Sequence, residues 1–285
     1  GLARGLEAYL ADYPHGCSEQ IASRAMSRLL LMTEVDFGFD QAESAAQLQS
    51  ALRLLTTRQN SDGGFGYWSG DATTDYLSVY VTTFLTEAKE ASHALPAGLL
   101  DGALNRMKQL ARAKDGNAQL QAAAIYLLTR NGEVTSNYVL NLRDTLEQTS
   151  KGKWQSTLTG AYLASTYALL QKRNEADSIM RTYWNAADKS PKLSRWYYDW
   201  FNEPQVQQAQ GFTLLCRHFP DIAKGLSYDD LKMITDPIRV NHFNTYSAAW
   251  GVLALKSYSK LAQQANVKLA IQSLPASGSP AILAP

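Results

Sequence analysis

Cysteine and histidine are scarce in this chain: 285 residues hold two of the first, Cys17 and Cys216, and four of the second. Two thiols exclude a disulfide-stapled scaffold. A single Cys17–Cys216 bridge stays open as an alternative to Cys216 being core, as its apolar stretch from Gly211 to Phe219 implies. His15, His93, His218 and His242 show no ligand spacing with one another or with either cysteine, so no metal or other cofactor is expected. No apolar run is long enough to cross a bilayer, and no long Pro, Gly or Ser linker precedes Gln272. Excess charge is also missing. Against 26 Asp plus Glu stand 27 Lys plus Arg, a net charge of +1, which argues against nucleic acid or an anionic membrane surface as partner.

Helical periodicity is what the chain does have, since apolar residues recur at period 3.6 and almost nowhere alternate. Candidate helices run over 2–11, 18–32, 41–57, 73–91, 96–113, 117–129, 136–147, 158–170, 175–188, 193–201, 204–218, 227–234 and 245–264. With short connections, about a dozen helices pair into roughly six hairpins. Two connections match each other: Gln59 to Phe65 and Gln148 to Trp154 both read Gln, three residues, Gly, one residue, aromatic. The glycine allows a left-handed turn after a helix, the Gln amide satisfies unpaired backbone groups there, and the ring covers them from water.

The sharpest chemical signal is Gly16-Cys17-Ser18-Glu19-Gln20, where a thiol and a carboxamide stand three positions apart at a helix start. Side chains at that spacing share a face, so attack of Cys17 on the Gln20 amide needs little extra ordering. Ammonia would leave, and an internal thioester open to any amine or hydroxyl would remain. The competing reading makes Cys17 a small buried hydrophobe and Gln20 an ordinary helix residue.

The motif and its flank from Tyr13 resemble the thioester motif of the alpha-2-macroglobulin and complement family, in its bacterial branch. Ser18 stands where many members carry Gly or Leu. Arg58 to Trp68, Asp75 to Val81 and Ser247 to Leu255 extend the likeness, while 170–240 is recognisable only as helix. The repeated Gln–Gly–aromatic turn resembles that of terpenoid cyclases. Together these resemblances imply an all-α fold, an alpha/alpha toroid of about six helical hairpins over residues 1–271, with a tail from 272 to 285 leading to a further domain. They imply a single-use covalent trap, not an enzyme: a broad-spectrum endopeptidase inhibitor whose thioester is opened by a surface Lys of the attacking protease. The implied setting is a large exported parent, periplasmic or extracellular and in some members lipid-anchored, with neighbouring domains as further partners. A chain opening at Gly1 and ending without helical pattern fits a piece of such a parent.

A thioester must be kept dry until used. Tyr13, Tyr67 and Trp68 are candidate shields, with loop anchoring as their alternative role. Hydroxyl-selective members of the family carry a histidine roughly a hundred residues after the cysteine that relays the acyl group. None lies between His93 and His218, which predicts direct attack by amines. His15 and His242 remain as possible modulators. Two rival readings are a degenerate domain that binds partners without a thioester, and a terpenoid cyclase or prenyltransferase. The second lacks its acidic Asp-x-Asp-Asp cluster or Asp, Cys, His zinc set.

Overall fold

Apolar residues at period 3.6 form helix throughout the computed structural model, which describes residues 2–12, 16–114, 116–191, 202–264, 272–273 and 281–282. In chain order the helices are α1 Leu2–Asp12, α2 Ser18–Leu31, α3 Gln41–Thr56, α4 Asp75–Glu90, α5 Leu99–Arg112, α6 Ala118–Arg130 and α7 Ser136–Ser150. There follow α8 Leu158–Leu169, α9 Arg173–Ala186, α10 Pro204–His218, a single turn α11 Pro220–Ala223, α12 Tyr228–Arg239 and α13 Thr245–Gln264. Past α13, the described residues form one two-residue antiparallel pairing of Gln272–Ser273 with Ala281–Ile282. The helix expected over 193–201 lies outside the described residues. The one expected over 227–234 runs on to Arg239, because Pro237 stands in its last turn and removes only one backbone bond there.

Packing sorts the helices into two rings. Around the inner ring α2, α4, α6, α8, α10 and α13 touch in turn, and α13 closes on α2; α1, α3, α5, α7, α9 and α12 lie outside them. Sequence decides which ring a helix joins. Outer α5 buries one stripe, Leu99, Ala103, Leu104, Met107 and Leu110, whereas inner α8 is buried on all sides from Leu158 to Tyr167. Inner helices tolerate buried hydroxyls because Thr82, Thr83 and Thr86 each donate to the carbonyl four residues back. The all-α toroid expected from resemblance is therefore the fold. Since inner and outer helices alternate along the chain, the inner six run parallel and all begin at one mouth. Bonds across that mouth agree: Asn117 and Asn202 both reach the Tyr76 hydroxyl, and Thr245 reaches Glu19.

The two matching turns do different work. In the first, Gln59 Nε2 donates to the carbonyls of Gly63 and Leu99, both at 3.0 Å, and Phe65 is fully buried. In the second, Gln148 is exposed, and the buried Trp154 indole donates instead to Glu147 Oε1 at 2.9 Å. Amide capping thus holds for Gln59 but not for Gln148. Gly63 is irreplaceable for two reasons: its φ is +83°, and a Cβ there would sit 2.0 Å from the Gly102 carbonyl oxygen. Gly63→Ala is expected to lower stability by about 2–4 kcal/mol in urea unfolding. A midpoint unchanged from wild type would refute that account of the turn.

Candidate functional site

Helix α2 begins at a reciprocal cap made by the two residues singled out in the sequence. Cys17 is the N-cap, with extended backbone at φ −67° and ψ 166°; its sulfur accepts from the Gln20 backbone N–H, and the Gln20 side chain returns the bond. That return bond runs from Cys17 N–H to Gln20 Oε1 at 3.0 Å. Such a box is usual for Ser or Thr with Glu or Gln, and here a thiol takes the hydroxyl's place. Two chemical consequences follow. The carboxamide is folded back onto the residue bearing the thiol, and a backbone donor sits on the carbonyl oxygen that would take up charge if sulfur attacked the carbon.

Both residues are shielded, each 8% exposed. Burial, the largest influence, pushes the Cys17 thiol up, with Glu19 adding to it and the Gln20 N–H and Arg58 pulling down. A thiol held neutral in a dry turn is protected from casual oxidation. Cys17 and Cys216 are both free and buried, so the bridge between them does not exist. Cys216 lies on α10, where burial pushes its thiol up to about 12.

The glycine-rich loop after α3 is fastened onto this turn, by contacts that local pattern does not reveal. Ser18 N–H donates to the Tyr67 carbonyl at 2.8 Å, and Ser18 Oγ reaches the carbonyls of Gly66 at 2.7 Å and Tyr67 at 3.0 Å. Arg58 donates to the same Tyr67 carbonyl at 2.9 Å and lies over the Trp68 ring, 5.2 Å from its centroid. Ser18 is thus the hook between α2 and the loop. Tyr67 is half-buried and Trp68 is 52% exposed, so of the three candidate shields Tyr67 lies in the site wall and Trp68 on its rim.

Behind the turn, Glu19 is buried at 1% exposure. Thr245 Oγ1 donates to both its oxygens, at 3.1 and 2.8 Å, and Ser23 donates at 2.6 Å. Ser23 meets the Tyr80 hydroxyl in turn at 2.8 Å. Burial raises the Glu19 carboxyl and these donors pull it back. Through Ser23 the carboxylate therefore joins the N-terminal halves of α2, α4 and α13 across the ring. Thr245, Ser23, Tyr80 and Arg58 were not legible as site residues, because their contacts span up to 226 positions.

The remaining candidates fall elsewhere. Tyr13 and His15 lie outside the described residues. His242 occupies the turn between α12 and α13, near Glu203, whose carboxyl burial raises while Asn244 and His242 pull it partly back; among the described residues it makes no side-chain bond to Cys17 or Gln20. His218 is half-buried at the far mouth, bonded to the Tyr126 hydroxyl at 2.7 Å and pushed down to about 3, chiefly by desolvation. The position one hundred after Cys17 is Asn117, the N-cap of α6. Among the described residues no cluster of three or more His, Cys, Asp and Glu is placed to hold a metal.

Fold and site together define an all-α toroid that presents a reciprocally capped Cys–Gln pair at the mouth where its inner helices begin. No family model matches the chain. It is 38% identical over 288 residues to the alpha-2-macroglobulin homolog of Yersinia pestis, covering 99% of this chain and 14% of the relative. With the alpha-2-macroglobulin of Rickettsia conorii it shares 29% identity over 269 residues, 90% of this chain and 14% of the relative. Its fold matches native alpha-2-macroglobulin from Escherichia coli, solved from domain MG7 to the C-terminus, with TM-score 0.71 at 17% identity over 99% of this chain and 45% of that one. It also matches Salmonella alpha-2-macroglobulin reacted with methylamine, with TM-score 0.67 at 17% identity over 90% of this chain and 17% of that one. The chain belongs to the alpha-2-macroglobulin family. It spans 14% of the length of these curated relatives.

Proposed function

We propose that residues 1–271 form the covalent-trapping domain of a broad-spectrum endopeptidase inhibitor of the macroglobulin type, with Cys17 and Gln20 closing an internal thioester. The observation that carries this is the reciprocal cap, which holds carboxamide and thiol in one turn. Cys17 Sγ bonds to Gln20 Cδ and ammonia departs with the thiol proton. When a protease cuts the parent elsewhere, a lysine amine of the attacker forms the C–N bond at Gln20 Cδ, the C–S bond breaks, and Cys17 is left as a thiol. Each molecule acts once. A Salmonella neighbour in fold is one that has reacted with methylamine, and an Escherichia coli neighbour is one activated by trypsin; both support the assignment. The tail from residue 272 would lead to a further domain, and the parent would work in the periplasm or outside the cell.

Intact mass decides whether the bond forms. The native parent should be lighter than its sequence by one ammonia, and methylamine should add itself at Gln20 while releasing one thiol. A full sequence mass with a thiol that titrates without denaturant or amine would favour a degenerate partner-binding domain. Asn117 rather than a histidine at the relay distance supports attack by amines without an acyl-imidazole step. Methylamine should therefore label the bond far faster than glycerol at equal concentration, and equal labelling would sink the prediction.

The rim position of Trp68 supports a shield. Trp68→Ala should shorten the lifetime of the preformed bond several-fold in buffer, read as ammonia-deficient mass lost with time. An unchanged lifetime assigns the ring to anchoring alone.

A further inference from the structure

Among the described residues, Arg58 brings a cation to the reactive turn from outside the buried core. Arg58 follows α3 and is half-buried; its guanidinium spans the Tyr67 carbonyl and the Trp68 face. The Tyr67 carbonyl already accepts from Ser18 N–H and Ser18 Oγ, so the third donor is charged and comes from the loop's own stem. Trp68 N–H is occupied by Asp71 Oδ2 at 2.9 Å, which keeps that carboxylate on the loop. Two charged groups act on Cys17 in opposite senses: Glu19 raises its thiol and Arg58, more weakly, lowers it. Tyr80 and Tyr246, ring to ring at 4.6 Å, bring no formal charge from α4 and α13.

Opening a thioester here sets a difficult charge problem. As the amine nitrogen bonds to Gln20 Cδ, the electron pair of the broken C–S bond goes to Cys17 Sγ, and the amine's surplus proton is lost to solvent or taken by the sulfur. The thiolate emerges in a turn that is 8% exposed, close to a carboxyl that is 1% exposed. The first-turn N–H groups of α2 help. Arg58 adds a formal positive charge, held one carbonyl away from the Ser18 N–H that follows Cys17.

We infer that Arg58 is the positioning residue of this site, pinning the Tyr67–Trp68 wall to the first turn of α2 and supplying the positive charge that steadies the Cys17 thiolate as it leaves. This rests on the thioester reading above. It adds a consequence that the motif alone lacks: the closed wall and the ease with which the sulfur departs depend on one side chain. Removing it should loosen the shield and slow the amine reaction at once, whereas a shield residue such as Trp68 should affect only the first.

The test uses the full-length parent with Arg58→Met and Arg58→Lys beside Trp68→Ala. After methylamine opening, the released Cys17 thiol is alkylated across a pH series. The Arg58→Met profile should move to higher pH by on the order of half to one unit, and its methylamine rate should fall roughly three- to tenfold, since a more basic thiol leaves more slowly. Arg58→Lys should restore the alkylation profile but not the water-resistance, because one ammonium cannot both cap the carbonyl and lie flat on the indole. Trp68→Ala should shift only water-resistance. If the Arg58→Met profile superimposes on wild type, the inference is wrong. If the wild-type parent shows no ammonia deficit, the thioester reading fails; the alkylation profile of free Cys17 in the same variants still decides the role of Arg58. The same profile serves if Arg58→Met folds but fails to form the bond.

Discussion

Cys17→Ser is expected to abolish covalent capture while leaving the domain as stable as before. Conjugates with trypsin that survive boiling in detergent should vanish, and the ammonia deficit with them. The reason is that a neutral hydroxyl is a poor nucleophile toward an amide and an alkoxide a poor leaving group. Stability should hold because position 17 is a helix N-cap whose side chain accepts from the Gln20 N–H, a task at which serine excels. The urea midpoint should stay level or rise slightly, by about 0.5 kcal/mol. Methylamine label at position 20 of the serine variant would overturn the assignment of the nucleophile.

At the other mouth, replacing Glu87 should cost a large part of the domain's stability. Its carboxylate is held between Arg217, at 2.6 and 3.0 Å, and Arg130, at 2.8 Å. Glu87→Gln strips the charge from between the buried Arg130 guanidinium and the half-buried Arg217 one, and breaking a buried network in this way costs about 3–5 kcal/mol. Glu90 remains to partner Arg130, so Arg217 is the cation left uncompensated.

The same group sets a pH dependence. Despite burial, the largest opposing influence, the two arginines bring the Glu87 carboxyl down to about 2. A folded value below the unfolded one stabilises the protein above the ordinary carboxylate range, and that contribution, on the order of 3 kcal/mol, is lost as pH falls from about 5 toward 2. Wild type and Glu87→Gln should therefore differ most in urea midpoint near neutrality and converge in acid. Parallel curves down to pH 3 would show that the charge is not the origin of the difference.

Fold and chemistry were legible to different depths. Helices with a clean stripe, such as α5, announced themselves, and the Cys–Gln spacing at the start of α2 stood out because few residue pairs combine nucleophile and amide. The ring order came from resemblance rather than periodicity, since inner helices such as α8 lack a polar face to count. Pattern failed where two identical local signals met different neighbours: Gln59 faces the start of α5, whereas Gln148 faces solvent. It also stopped short at Pro237. The wall of the site was hidden for a plainer reason. Ser18 meets Tyr67 across 49 positions and Glu19 meets Thr245 across 226, and nothing local encodes a bond of that reach.

That last bond bears on timing. Residue 245 is among the last of the toroid to leave the ribosome, and α13 has α2, the second helix made, as its neighbour. Until it docks, the carboxylate behind the reactive turn lacks the Thr245 hydroxyl and the turn has water on that side. On the thioester reading, synthesis order would act as a safety catch: an incomplete or truncated chain would carry the motif in a wet turn, and only a finished ring would close over it.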